Sequence, residues 1–465
     1  MRYNEVTPDD IRRLIEICGK EHVFTGDSIH EDFTHDEMTI YGCRAPEAVA
    51  EALTTRQVSD ILRYAYERRI PVTPRGSGTG LCGGAVAIHG GILLSLAKMD
   101  GIIEFDPDNF TVTVEPGVLL MTLAQEAVGR GMMYPPDPGE KSATIGGNVM
   151  TNAGGMRAIK YGVTRDYVLG MTAVLPNGEI IELGGKVVKN SSGYSIKDLL
   201  IGSEGTLAVV TRLILKLIPL PPVALSLLIP FDDLSRCFDT VPKILKSNTA
   251  PTAVEFMQRQ VIEAAEEYLG FHFPDKSGEA YLLLTFDGHT AEELEAVYRK
   301  VADICLESGA LDVFISDTEE RQESIWKARG AFLEAIKTST TEMDECDVVV
   351  PRTMLGKYME FVGRLEEEFG VRIRSFGHAG DGNLHVYLCR DGMSGSDWEQ
   401  KSGAAMARLY ASSKEMGGQI SGEHGIGHAK SRYLAQSLGG ETVHLMRGIK
   451  RAFDPKNILN PGKIC

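Results

Sequence analysis

The chain contains no C-x-x-C pair. Its eight cysteines (Cys18, Cys43, Cys82, Cys237, Cys305, Cys346, Cys389 and Cys465) are scattered over 465 residues. That argues against an iron–sulfur cluster or a cysteine zinc site, and for free thiols in a reducing compartment. Long apolar runs are also missing. The best stretch, residues 199–222, is broken by Glu204, Arg212 and Lys216, well short of the ~18 consecutive apolar residues a membrane helix needs. Positive charge is in deficit: 48 Lys and Arg against 64 Asp and Glu leave a net charge of −16. This disfavours nucleic acid or an anionic membrane surface as the main partner. Residues 1–10 are polar and acidic, unlike a signal peptide. No internal repeat and no G-X-Y period is evident, which excludes solenoid and collagen architectures. The expectation is a soluble, cytoplasmic, non-membrane-spanning protein.

What the chain has in excess is glycine. Fifty glycines in 465 residues is about 11%, against ~7% in ordinary proteins. A surplus of this kind means tight turns or backbone packed closely against something. The length predicts two to four domains. Thr7-Pro8-Asp9-Asp10 predicts a helix start, and Val58, Ile61, Leu62 and Ala65 form the apolar stripe of a second helix over 55–69. Between residues 71 and 222, short β-type runs (92–96, 111–114, 167–175, 180–183, 207–217) alternate with glycine clusters. Pro176-Asn177-Gly178-Glu179 predicts a hairpin turn. Prolines at 219, 221 and 222 mark a domain boundary. Beyond it, strands (224–229, 281–286, 313–316) alternate with amphipathic helices (234–247, 291–307, 319–338, 352–369), an α+β pattern with an antiparallel sheet. The expected division is an N-terminal helical segment over 1–44, a ligand-binding domain over 45–220, a substrate or cap domain over 221–415, and a segment over 416–465 that completes the active site.

Gly78-Thr79-Gly80-Leu81-Cys82-Gly83 fits the G-x-G-x-x-G pattern of a nicotinamide site, but its context does not. Residues 84–91 hold too many glycines for the required helix, and Pro71 to Pro74 make a poor central strand. The backbone N–H groups of Arg75-Gly76-Ser77-Gly78-Thr79-Gly80 can still converge on a pyrophosphate. A surface turn explains that loop equally well when it is taken alone. Two more segments change the balance. One runs from Pro138-Gly139 through Ser142, Thr144, Gly146-Gly147-Asn148 and Asn152 to Gly155. The other is Gly202-Ser203-Glu204-Gly205-Thr206-Leu207. Three such segments imply a long ligand threaded through one domain.

Four of the eleven histidines lie between residues 378 and 428. A two-residue Asp381-Gly382 turn would set His378 directly opposite His385, Cβ atoms ~5 Å apart. Two imidazoles so placed can share a divalent cation; two incidental histidines on a surface turn are the alternative. Glu423 could add an oxygen ligand, and His424 beside it could act as general base, unless both simply sit on a solvated glycine loop. Arg329, on a predicted helix, could give two parallel hydrogen bonds to a substrate carboxylate.

These segments together resemble the vanillyl-alcohol-oxidase-type flavoproteins, in the branch of D-lactate dehydrogenases and glycolate oxidase flavoprotein subunits, which includes D-2-hydroxyglutarate dehydrogenases. The resemblance runs from about residue 45 to 463. It implies an α+β fold: a two-part FAD-binding domain and an α+β substrate (cap) domain with an antiparallel sheet. It implies that Pro74, Arg75, Gly76, Ser77, Gly78, Thr79 and Gly80 hold the FAD pyrophosphate. Pro138, Gly139, Ser142, Thr144, Gly146, Gly147, Asn148, Asn152, Gly155, Glu204 and Gly205 would line the isoalloxazine, with Val210 and the closing-motif Asn460 among the cofactor residues. Covalent members carry a His or Cys on the loops; the loop here has Ser77 and Thr79, so the FAD is expected to be non-covalent. The motifs H-x-G-D-G-N-x-H and G-E-H-G imply one divalent metal (Zn, Fe or Mn) on His378, His385 and Glu423, and His424 as base. Trp-x-x-Arg implies Arg329 as the carboxylate anchor. Hydroxyglutarate-type members have Lys where this chain has Glu345, which disfavours a second substrate carboxylate. The implied activity is oxidation of a small 2-hydroxy monocarboxylate, D-lactate to pyruvate first, with glycolate or D-2-hydroxyglutarate as alternatives. Electrons would leave to an electron-transferring flavoprotein, an iron–sulfur subunit or a quinone. A metal-dependent hydrolase on the same ligands would leave the glycine segments unexplained, and a non-catalytic flavin subunit would leave the base motif unexplained. A homo-oligomer is compatible with the chain.

Overall fold

The helix expected at Thr7 spans Pro8–Cys18 in the computed structural model, which describes residues 2–316 and 319–465. Asp10 locks its first turn. One carboxylate oxygen accepts the Thr7 backbone N–H at 2.7 Å and the Thr7 hydroxyl at 2.6 Å. The other accepts the Tyr64 hydroxyl at 2.6 Å and Arg68 Nε at 3.0 Å. Tyr64 and Arg68 lie on the second expected helix, Thr55–Arg68, so the cap also joins the two helices. Burial pushes the Asp10 carboxyl up, but the hydrogen bonds from Thr7, Tyr64 and Arg68 outweigh it and hold it at about 2. The folded value lies below the unfolded one. Asp10 therefore stabilises the fold fully above the ordinary aspartate range, and loses that contribution as pH falls toward about 2. The shift corresponds to about 2–3 kcal/mol. Asp10→Asn should lower the urea midpoint at neutral pH and flatten the acid limb of the stability curve. An acid limb matching wild type would contradict this assignment.

The chain divides into two compact units. The first comprises Met1–Ala153, Val163–Leu220 and Glu423–Cys465; the second comprises Gly154–Gly162 and Pro221–Gly422. Residues 1–44 thus group with the first unit rather than standing apart, and the chain returns to that unit at Glu423 rather than at 416.

In the first unit a four-stranded sheet runs in the order Val23–Thr25, Ala48–Glu51, Ile92–Ser95, Val72–Arg75, with Ile92–Ser95 parallel to both neighbours. Leu14, Val58, Ile61, Leu62 and Ala65 pack with its apolar strand residues into one core. Residues 72–75 do form a strand, but at the end of the sheet rather than in its centre. Val72–Arg75 is the end strand, and such an edge tolerates Pro74. The second sheet is antiparallel, in the order Ile102–Asp106, Thr111–Val114, Val209–Lys216, Val168–Val174, Ile180–Gly184. The expected hairpin closes at Gly178 (φ +85°) and docks on the second helix, where Ser59 Oγ donates to the Gly178 carbonyl at 2.6 Å.

The second unit is built on a seven-stranded antiparallel sheet. Its order is Phe314–Ser316, Val223–Phe231, Ala280–Gly288, Ala253–Gln258, Arg372–His378, Asn383–Cys389, Met343–Val349. The single helix expected over 319–338 is two, Glu319–Gly330 and Phe332–Thr338. Helices Leu234–Lys246 and Leu355–Phe369 pack with one face of the sheet, where Phe238 meets Phe256 at 4.5 Å between ring centroids. The other face carries the histidines. Among the described residues no helix is long and apolar enough to cross a membrane, and no disulfide links the eight cysteines.

Candidate active site

Alternation along the strands and the observed register set the composition of the second unit's polar face. His378 pairs with Glu255 on one side and Asn383 on the other. One step along the strands, Phe376 pairs with Met257 and His385, and His385 pairs with Asp347. The next step brings Tyr387 opposite Glu345. All of these side chains therefore share one face. Glu255, Glu345 and Asp347 are each 0% exposed, His378 is 5% and His385 is 3%. A sheet face with three fully buried carboxylates is a site rather than a core.

The register corrects the expected turn. His378 is opposite Asn383, not His385. The loop is four residues long, with the N–H groups of Asp381 and Gly382 both returning to the His378 carbonyl at 3.3 and 3.0 Å. Neighbouring strands impose this shape. Gly380 donates to the Val254 carbonyl at 3.0 Å, and Val350 donates to that of Gly382 at 3.0 Å. Gly382 sits at φ +93°, where an added Cβ would lie 2.1 Å from the Val350 carbonyl oxygen. A shift by two positions preserves the face, so the two rings still meet diagonally, centroids 5.2 Å apart and perpendicular at 89°.

Glu255 is the member of this group that sequence reasoning missed. Its Oε1 lies 2.7 Å from His378 Nδ1, and its Oε2 accepts Arg329 Nε at 2.8 Å and Nη2 at 2.6 Å. Burial alone pushes the Glu255 carboxyl up, but His378 and Arg329 outweigh it and hold it below the ordinary glutamate value. The only local signal was an acid in the apolar run Ala253-Val254-Glu255-Phe256-Met257. Arg329 reaches the same face from its helix, its guanidinium 4.7 Å from the Phe376 ring centroid. The Nε–Nη2 edge is taken by Glu255, which leaves the Nη1–Nη2 edge for a carboxylate. His385 Nδ1 lies 3.7 Å from Asp347 Oδ1 and 3.9 Å from Glu345 Oε1. Asp347 in turn accepts Asn383 Nδ2 at 2.7 Å, Ser421 Oγ at 2.9 Å and the Gly422 N–H at 3.0 Å. Two buried imidazoles backed by carboxylates match the donor chemistry of a divalent-metal site.

In the first unit the three glycine segments converge. An added Cβ on Gly76 would lie 2.1 Å from Thr144 Oγ1, and one on Gly205 would lie 3.3 Å from the Pro74 ring. Ser77 Oγ donates to the Ser142 carbonyl at 2.9 Å, and the Glu204 N–H to that of Met150 at 2.8 Å. Thr144 caps the short helix Ile145–Thr151, which carries Gly146, Gly147 and Asn148. Asn152 follows at φ +51° and accepts the Arg165 N–H at 2.9 Å. Val210 is buried in Val209–Lys216, paired with Ala173. Asn460 (φ +43°) donates from Nδ2 to the carbonyls of Gly84 at 3.0 Å and Glu204 at 2.8 Å. Its Oδ1 and Ser203 Oγ are buried with no hydrogen-bond partner among the described residues. Unmatched polar atoms among converging glycines suit a polar cofactor.

The charged ends of two expected cofactor residues are engaged within the protein. The Arg75 guanidinium binds the carbonyls of His35 at 2.7 Å and Asp32 at 2.6 Å, and it packs beneath Gly78. It therefore braces the loop from behind. The Glu204 carboxylate accepts the N–H groups of Ile426 and Gly427 at 2.7 Å each, which fixes the glycine loop that follows His424. Burial is the main cause that raises the Glu204 carboxyl above its ordinary value, against these two N–H groups. Glu423 and His424 open this unit's last segment, with Glu423 Oε1 3.6 Å from His424 Nε2. Lys430, for which the sequence offered no role, is fully buried, and its charge acts to lower the Glu204 carboxyl.

The architecture is shared with solved structures. It superposes on p-cresol methylhydroxylase with substrate bound at a TM-score of 0.81 and 19% identity, over 99% of this chain and 97% of that one. The 4-ethylphenol oxidase of Gulosibacter chungangensis gives 0.76 and 20%, over 100% and 98%. An FAD binding domain matches residues 46–184, and the FAD linked oxidases, C-terminal domain, matches residues 220–464. The chain is 51% identical to a D-lactate dehydrogenase of Anaerostipes hadrus, over 100% of this chain and 98% of the relative. It is 38% identical to glycolate oxidase subunit GlcD of Bacillus subtilis, over 99% and 97%. The chain belongs to the FAD-linked oxidase family.

Proposed function

We propose that this flavoprotein oxidises D-lactate to pyruvate, with FAD held non-covalently by the glycine segments and a divalent metal (Zn, Fe or Mn) held by His378, His385 and Glu423. The observation that carries the reading is the buried sheet face, on which a guanidinium suited to a carboxylate lies beside two histidines suited to a metal. The 51% identical relative named D-lactate dehydrogenase supports the choice of substrate. Bound FAD supplies a two-electron acceptor for the Cα hydride, and a bound divalent ion supplies a Lewis acid for the hydroxyl oxygen. The chain's own residues do the rest. Arg329 anchors the carboxylate through its Nη1–Nη2 edge. His424 takes the hydroxyl proton as the Cα–H bond breaks. Glu255 and Asp347 hold the ligand face in place. The fully buried Glu345 repels a second carboxylate, which favours a monocarboxylate over 2-hydroxyglutarate. Electrons then pass to a separate acceptor, an electron-transferring flavoprotein, an iron–sulfur subunit or a quinone. The hydrolase reading falls away because it gives an FAD binding domain nothing to do.

Anaerobic bleaching of the flavin tests the reading. D-Lactate is expected to bleach it fastest and glycolate more slowly, with D-2-hydroxyglutarate leaving it oxidised. Bleaching by the dicarboxylate alone would overturn the assignment.

A further inference from the structure

Glu255 is not a ligand in the proposed metal set and is not placed to meet substrate, yet it touches both halves of the site. It lies on an interior strand, is 0% exposed, and has one oxygen on each of two functional groups. Oε1 is 2.7 Å from His378 Nδ1, and Oε2 is 2.8 and 2.6 Å from Arg329 Nε and Nη2. A carboxylate accepting at Nδ1 fixes the imidazole tautomer and leaves the Nε2 lone pair for a metal. The same carboxylate fixes the orientation of the guanidinium, and hence where its outward edge points.

We infer that Glu255 is a positioning residue that couples metal binding at His378 to substrate-carboxylate binding at Arg329, so that disturbing one side of the carboxylate weakens the other. This rests on the site reading above. Glutamine is the sharpest probe because it keeps the shape and loses the symmetry. Its single acceptor oxygen can serve His378 or Arg329, while its amide N–H groups face the other as donor against donor.

The test uses the full-length flavoprotein. Zn²⁺ and Mn²⁺ are each titrated in competition with a chromophoric chelator, and anaerobic flavin reduction is followed at varied D-lactate. In Glu255→Gln, metal affinity should fall about 10–100-fold, as for other carboxylate partners of ligating histidines. KM for D-lactate should rise by a larger factor than kcat falls, and the flavin content should stay at the wild-type level. Glu255→Asp keeps the buried charge and serves if the glutamine variant does not fold. Withdrawn by one methylene, it should show a smaller loss of the same two quantities together. Wild-type metal affinity in a folded variant would overturn the inference, as would a change in KM alone. Wild-type protein that binds neither metal would overturn the metal reading and this inference with it, and that failure is recognised in the wild-type titration before any variant is compared.

Discussion

His424→Ala is expected to bind FAD as the wild type does and to be reduced by D-lactate about 10²–10⁴-fold more slowly, the usual contribution of a positioned general base. The loop should survive the substitution because backbone bonds hold it on several sides. Glu204 fixes the backbone N–H groups of Ile426 and Gly427. The Cys82 carbonyl accepts the N–H groups of His428 and Ala429 at 3.2 and 3.3 Å, and Gly427 accepts that of Ile464 at 2.8 Å. None of these bonds involves the His424 ring, and neither do the contacts among the glycine segments described above. A stopped-flow trace of anaerobic flavin reduction is the measurement. Reduction at the wild-type rate would remove His424 from the role of base. A matching loss of FAD would show that the loop depends on the ring after all.

The parts of this site that were legible in the sequence are those written in short, local motifs. Glycine segments announce themselves by composition, and the two histidine motifs by density. The strand Met343–Val349 shows where local reading stops. Its acids look like one run, but alternation sends Glu345 and Asp347 to the histidine face while Asp344 pairs with Leu388 on the other. The hairpin failed in pairing and succeeded in face, because a displacement of two positions leaves side-chain parity unchanged. Glu255 was invisible for a different reason. Its partner His378 is 123 residues away in sequence, and only the order of strands in the sheet brings them together. Arg75 and Glu204 lie on the expected segments, and their charged ends bind backbone groups of residues 32 and 35 and of residues 426 and 427. Backbone proximity to a cofactor can be inferred from glycine content, but the direction of a long charged side chain depends on what packs behind it.

The second large effect is expected at Arg329, and two substitutions separate its roles. Arg329→Ala leaves the buried Glu255 with His378 alone. Breaking a buried pair in this way costs about 3–5 kcal/mol, so thermal stability should fall along with activity. Arg329→Lys keeps a positive charge near Glu255 and so spares most of the stability. An ammonium, however, cannot face Glu255 with one edge and offer two parallel N–H bonds with another. Loss of a charge-assisted bond of about 1.5–3 kcal/mol predicts a fall in kcat/KM for D-lactate of roughly 10–150-fold, carried mainly by KM. A control comes from the substrate side. Propane-1,2-diol keeps the secondary alcohol and lacks the carboxylate, so whatever slow flavin reduction it supports should be nearly unchanged by Arg329→Lys. Equal losses on the acid and the diol would mean that the lysine disturbs the sheet face as a whole. A loss confined to the acid would identify the Nη1–Nη2 edge as the carboxylate anchor, because only the acid has a group for that edge to bind.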